Sequence, residues 1–238
     1  MITIKQLFSA CILASVFLLG SCAKDDYFKD SGTVSGSFQG NVLEYLKSKP
    51  QYFDSLTKVI RLAGMEDIFS VEEITFFAPA DSSIRSTIAE LNRQLSLQGK
   101  QTVSRLEQIK PEVWRAQLTR YLFKGKRSMN DYPQLDPGNV SAYPGQVYGT
   151  YDGAIMSVGV IYNNAGGVKY AGYRQLTLAY IPSASAPRDY LSWYSSTVAS
   201  VNIAPTNGYV HALRYSNHFF GFDVYQFIEN AIAKGIDQ

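Results

Sequence analysis

The sequence predicts an α+β fold in one domain, with helices first and strands later. Two observations predict it. Ahead of Gly125, apolar residues recur at helical spacing in segments bounded by Pro, Asn, Asp and Gly. From Asp131 to Tyr215, Gly, Pro, Tyr and β-branched residues dominate, in short runs separated by turn signals. The two patterns do not alternate, which argues against a series of βαβ units. No self-similar period points to a solenoid.

The first segment stands apart from the fold. Lys5 precedes an uncharged, largely apolar run from Gln6 to Ser21, the layout of a secretory signal and short for a membrane span. Its end, Leu19-Gly20-Ser21-Cys22, resembles the lipobox of bacterial lipoproteins, whose cysteine is acylated and becomes the new N-terminus. An ordinary signal peptide beside an incidental cysteine is the alternative. Residues 1–21 are thus read as a signal peptide and Cys22 as a lipid anchor bearing palmitate-type chains. With Cys11 removed and Cys22 acylated, neither of the two cysteines is left for a disulfide, and core burial alone must hold the domain. What then remains of 238 residues is ample for one core and tight for two. Cys22-Ala23-Lys24-Asp25-Asp26 resembles the signal that sends lipoproteins to the exterior of certain glycan-scavenging Gram-negative bacteria. The expected location is therefore the outer membrane, facing the cell exterior. Residues 22–40 are rich in Gly, Ser and polar residues and read as a flexible tether, with the domain spanning 41–238.

Asn41 suits the N-cap of a helix carrying Val42, Leu43 and Leu46. Pro50 opens the next helix, in which Phe53, Leu56, Val59, Ile60 and Ala63 share a face and Gly64 is the stop. Ile74 to Ala78 is a short β-type run ended by Pro79. Asp81 or Ser82 then caps a helix lined by Ile84, Ile88, Leu91 and Leu95. Pro111 starts a helix whose stripe is Trp114, Leu118, Tyr121 and Leu122. Candidate strands are Gln146–Thr150, Ile155–Tyr162, Val168–Tyr170, Arg174–Ile181, Val198–Ile203 and Tyr209–Arg214, with a hairpin signal at Asn163 to Gly167. A last helix is expected from about Asp223 to Lys234, with Val224, Phe227, Ile228 and Ile232 apolar.

Two of these segments resemble a known family. Ile74-Thr75-Phe76-Phe77-Ala78-Pro79-Ala80-Asp81 looks like the early strand-to-helix signature of the fasciclin (FAS1) domain family. Asn207-Gly208-Tyr209-Val210-His211-Ala212-Leu213 looks like its late strand. The resemblance covers about Asn41 to Gly221 and implies a wedge-shaped β-sandwich with packed helices. His211 stands where the family has a histidine, and a lone strand histidine is more often scaffold than catalyst. Many members carry a Tyr-His pair linked to receptor binding. The matching place reads Tyr121-Leu122-Phe123, so adhesion by that route does not carry over. Extra sequence falls near Ser96–Ser104 and Asn163–Ser196, where a rigid scaffold would carry binding loops.

The residues offer little for catalysis. The sequence contains no Cys-x-x-Cys, His-Glu-x-x-His, Gly-x-Ser-x-Gly or phosphate-binding glycine loop, and its two histidines exclude a histidine-rich metal site. No enzyme activity and no cofactor are expected. A balance of 22 basic against 20 acidic residues argues against a nucleic-acid partner. Aromatics are the better lead, at 17 Tyr, 13 Phe and 2 Trp, because ring faces pack on the C–H faces of sugars. Most of the tyrosines read as ordinary sheet residues. Tyr190, Trp193 and Tyr194 lie in an apparent insertion and are the candidate ligand-binding residues, with core packing the competing reading. Phe219, Phe220 and Phe222 either dock the final helix or meet a partner. With the resemblance, these features imply a non-catalytic binding component accessory to an outer-membrane glycan or nutrient importer. Its partners would be a TonB-dependent transporter, that transporter's lid lipoprotein and a glycan. An adhesin contacting host matrix or neighbouring cells is the alternative.

Overall fold

Helix starts in this chain are made by the residues that the sequence offers for them. Asn41 caps α1 (Val42–Lys47) through a reciprocal pair: its Oδ1 accepts from Glu44 N–H at 2.9 Å, and Glu44 Oε2 accepts from Asn41 N–H at 2.8 Å. Pro50 and Pro111 open α2 (Pro50–Leu62) and α5 (Pro111–Leu118), where a missing N–H costs nothing. The remaining helices are α3 (Glu66–Val71), α4 (Asp81–Leu97) and α6 (Val224–Lys234). The computed structural model describes residues 36–182, 192–215 and 218–237. Cys22, the signal segment, most of the tether and Tyr190 lie outside the described residues.

Seven strands follow: β1 (Ile74–Ala78), β2 (Leu122–Lys124), β3 (Gln146–Gly149), β4 (Ile155–Tyr162), β5 (Arg174–Tyr180), β6 (Tyr194–Ile203) and β7 (Gly208–Leu213). They form one sheet in the order β2-β1-β7-β6-β5-β4-β3. All pairings are antiparallel except β1 with β7, which run parallel from Ile74↔Gly208 to Ala78↔Ala212. The α+β class is therefore observed. Register shifts in β6 on both sides of Ser200 bend that strand. The sheet folds over there, and its two halves face each other as the sandwich. Tyr148 of β3 meets Phe123 of β2 at 6.4 Å between ring centroids, and Tyr151 N–H donates to Leu122 C=O at 2.8 Å. The two ends of the sheet thus nearly meet.

The early and late motif segments are the parallel pair, second and third in the sheet. Every residue of β1 is buried, with Phe76 edge-on to Phe69 at 4.8 Å and Phe77 against Phe123 at 5.6 Å. Gly208 is needed because β1 lies so close: a Cβ there would stand 2.1 Å from Ile74 C=O. Asn207 secures the same corner. Its Oδ1 accepts from Val42 N–H at 2.8 Å, and its Nδ2 donates to Phe69 C=O at 3.2 Å and Glu72 C=O at 2.9 Å.

Several expectations are corrected. The Trp114 stripe does not continue as helix: α5 ends at Leu118, a 3₁₀ turn covers Thr119–Tyr121, and Leu122 begins β2 because β1 offers a ladder there. Val168–Tyr170 is not a strand. It belongs to the β4–β5 connection, in which Gly166, Gly167 and Tyr170 all take positive φ. β6 begins at Tyr194, ahead of Val198, and α3 follows Gly64 where the sequence predicts no helix. The folded unit begins at Gly36 ahead of Asn41, since Phe38 N–H donates to Ala204 C=O at 3.0 Å and its ring meets Tyr45.

Asp81 does cap a helix, but not its own. α2 is kinked at Phe53 (φ −133°), which frees the N–H groups that follow. Ser55 N–H and Leu56 N–H each donate to the Asp81 carboxylate at 3.0 Å. Asp81 is nearly inaccessible to water, so its removal would strand two donors. Asp81→Ala is expected to cost about 3 kcal/mol, and Asp81→Asn distinctly less because one acceptor remains. Urea midpoints at unchanged m-value measure this; equal midpoints for wild type and Asp81→Ala would contradict it.

Candidate functional site

Three distant parts of the chain meet at one cleft. The start of β6 brings Trp193, Tyr194 and Ser195, and the segment before α6 brings His218, Phe219 and Phe222. Asp223 and Tyr225 of the α6 start, with Glu90 and Arg93 of α4, complete the wall. The cleft measures about 550 Å³, within the size range of small-molecule sites.

Packing assigns these residues different tasks. Tyr194 opens β6 directly opposite Tyr180 of β5, and the two rings lie nearly parallel, 14° apart with centroids at 6.5 Å. Tyr194 remains 45% exposed, so it offers a usable ring face. Trp193 points to the other side of the sheet, where it is buried with Ala179 and Ile181. The candidate pair therefore divides: Tyr194 is presented to the cleft, and Trp193 is mainly a packing residue at its rim. Phe220 and Phe222 dock the chain ahead of α6 onto the core, stacking on Tyr121 at 5.6 and 5.2 Å, whereas Phe219 is exposed. Tyr225 is the most open of the cleft's rings, at 62%.

Behind the cleft lies a buried polar layer. Arg120 donates to Gly221 C=O and Gln226 Oε1, and its guanidinium covers the Tyr180 ring at 4.2 Å. Burial lowers its pKa, and the Tyr180 phenol opposes that shift. Gly221 has φ +80°, and a Cβ there would strike the Gln117 amide, so glycine is required where the chain turns onto Arg120. Gly221 N–H donates to the Tyr121 hydroxyl at 2.7 Å, and burial pushes that phenol far above its ordinary pKa. A histidine does stand against Tyr121 in space: His218 lies 5.8 Å away, contributed from far along the chain. Its ring stacks on Phe222 at 4.8 Å, and neither buried ring nitrogen has a hydrogen-bond partner among the described residues.

Charge at the cleft is fixed by pairing. Arg93 donates to Glu90 from Nε at 2.8 Å and from Nη2 at 2.6 Å. The hydrogen bonds from Arg93 and Gln94 hold the Glu90 carboxyl down to about 2, so it is ionised at ordinary pH. Asp223 caps α6, its Oδ1 accepting from Gln226 N–H at 3.1 Å.

His211 is separate from the cleft and fully engaged. Its Nδ1 accepts from Asn202 N–H at 3.3 Å, which makes Nε2 the donor to Arg127 C=O at 3.0 Å. Phe77 and Tyr132 pack on it, and Asn202 holds the left-handed backbone (φ 57°) needed to aim its N–H. Among the described residues no group of three or more His, Cys, Asp or Glu is placed to hold a metal, and no helix is long and apolar enough to cross a membrane.

No protein-family model matches the chain, and no curated protein matches it. Among solved structures it is similar in fold to a FAS1 domain pair from the insect cell adhesion molecule Fasciclin I. The identity is 15% and the TM-score 0.47, over 74% of this chain and 50% of that one. The chain thus matches half the length of that domain pair.

Both histidines are held neutral by burial, their pKa values lowered from 6.5 to about 4. The unfolded chain binds the extra protons between these values, so stability is full above about 6.5 and falls as pH drops toward 4. Each contributes roughly 1.4 kcal/mol per pH unit within that window. Urea midpoints from pH 7 to 4 should fall less steeply in His211→Gln than in wild type; an unchanged slope would contradict the assignment.

The split between the two aromatic residues is equally open to test. Trp193→Ala is expected to lower stability by about 2–3 kcal/mol through lost packing, and Tyr194→Ala by under about 1 kcal/mol. Thermal melts of the two variants would contradict this if their order were reversed.

Proposed function

We propose that this protein is a non-catalytic, fasciclin-type binding module, anchored in the outer membrane through acylated Cys22 and facing the exterior. It serves as an accessory to a TonB-dependent nutrient importer and its lid lipoprotein, and its ligand is held in the cleft at Tyr194. One observation carries the reading. Tyr194 of the insertion and the aromatic residues around the start of the last helix, separate in sequence, line one open cleft with ionised groups at its rim.

The condition of the histidines supports binding over chemistry. His211 spends both ring nitrogens on backbone and so has none free to act as a general base, while His218 is packed against Tyr121 and Phe222. The lipobox-like Cys22 and the Gly/Ser-rich stretch after it support an anchored module held clear of the lipid headgroups.

Affinity purification of the tagged protein from gently solubilised native membranes, followed by mass spectrometry, tests the reading. A stoichiometric transporter and lid lipoprotein are expected, together with an acylated N-terminal peptide beginning at Cys22. Recovery of the protein alone, or with matrix or fimbrial components, would overturn the importer role in favour of adhesion.

A further inference from the structure

We infer that the cleft at Tyr194 takes a neutral saccharide, read by one stacking ring and by carboxylates that accept from its hydroxyls. The inference rests on the cleft being the ligand site, and it adds the chemical class of the ligand and the residues that choose it.

The argument starts from the shape of the ring surface. Tyr194 is held in place by its neighbour Tyr180, which is itself covered by the Arg120 guanidinium. A ring fixed in this way and still 45% exposed is a preorganised flat platform, the surface on which the C–H face of a pyranose packs. Tyr225 and Phe219, at 62% and 37% exposure, add apolar walls on the α6 side. Neither is needed to close the core, since Phe220, Phe222 and Phe227 already do that.

The polar groups decide the charge of the ligand. Two carboxylates line the cleft, and both can accept hydrogen bonds. Glu90 shares its oxygens with Arg93 and Gln94, and a carboxylate has lone pairs beyond those bonds. Asp223 uses one oxygen on the cap of α6, and its other oxygen accepts from nothing among the described residues. The cations are already committed. Arg93 is paired bidentately with Glu90, and Arg120 points away to Gly221 C=O and Gln226. Among the described residues, an acidic ligand would therefore meet two carboxylates with no uncommitted guanidinium to offset them, whereas hydroxyl groups are the donors that these oxygens lack. The second independent sign of a ligand is His218. It lines the same cleft with both ring nitrogens buried and unpartnered among the described residues, a polar edge that a hydroxyl or its bridging water would satisfy.

Calorimetric titration of the intact chain separates the alternatives. The probes are neutral oligosaccharides (cello-, malto-, xylo- and manno-series) and acidic ones (oligogalacturonate and chondroitin sulfate fragments). At least one neutral series is expected to bind, with no acidic probe binding more tightly. Tyr194→Ala should weaken that binding five- to tenfold. Asp223→Asn keeps a good helix cap and so should leave the melting temperature unchanged while weakening binding severalfold. An acidic probe that binds most tightly and depends on Tyr194 would overturn the neutral assignment and leave the cleft as the ligand site. Binding that survives Tyr194→Ala unchanged would overturn the cleft itself. Heat from neither set overturns the saccharide assignment alone, because the importer role is read separately from the copurifying transporter.

Discussion

The parallel pairing of β1 with β7 is the constraint on which the rest of the domain depends. Parallel neighbours cannot be joined by a tight turn, so the chain from Pro79 to Asn207 must leave the sheet and return. That excursion carries α4, α5 and five of the strands, and its return is clamped at the corner where β1 and β7 both begin. Gly208 lets β1 approach, and the Asn207 side chain spends an acceptor on α1 and two donors on the end of α3 and the residue after it. The Ile74 N–H donates to Asn207 C=O at 3.1 Å and completes the clamp. A residue with fewer donors, or with a Cβ at the next position, would leave backbone groups of three elements without partners inside the protein.

Much of this was legible in the sequence, for reasons that are local. The starts of α1, α2, α5 and α6 follow from Asn41, Pro50, Pro111 and Asp223, each of which meets a need of the first helical turn. β4 is found at its expected bounds because Ile155 to Tyr162 alternates or runs apolar throughout. What could not be read is decided by partners far along the chain. Tyr121 and Leu122 continue a helical stripe in sequence, yet the second joins β1 as strand and the first turns under Gly221. Asp81 has the composition of an N-cap for α4, but the kink at Phe53 supplies better donors from another helix.

The cleft shows the same division. Trp193 and Tyr194 were legible as a pair of aromatics in an insertion, but period-two alternation sends them to opposite faces of the sheet. Only the second is left to the opening. Glu90, Arg93 and Tyr225 gave no signal of their own, since charged and aromatic residues on exposed helix faces are ordinary. They matter here because α4 and α6 pack against one another and carry them to the end of β6. The buried arginine behind the opening is the sort of group that is costly to place without partners, and those that it has hold Tyr180, Gly221 and α6 in one arrangement.

The near meeting of β2 and β3 has a consequence for neighbouring copies. An open seven-stranded sheet has two flanks of unpaired N–H and C=O groups, each a template for adding strands from another molecule. Here one flank strand runs only from Leu122 to Lys124, and the two flanks turn toward each other where Tyr151 bonds Leu122. Part of the outer side of β4 is taken by Pro133 and Leu135, which bond to Val160 where β3 has ended. Neighbouring copies would thus find little free ladder on one another, and the sheet guards itself against fibre-like association by its own curvature.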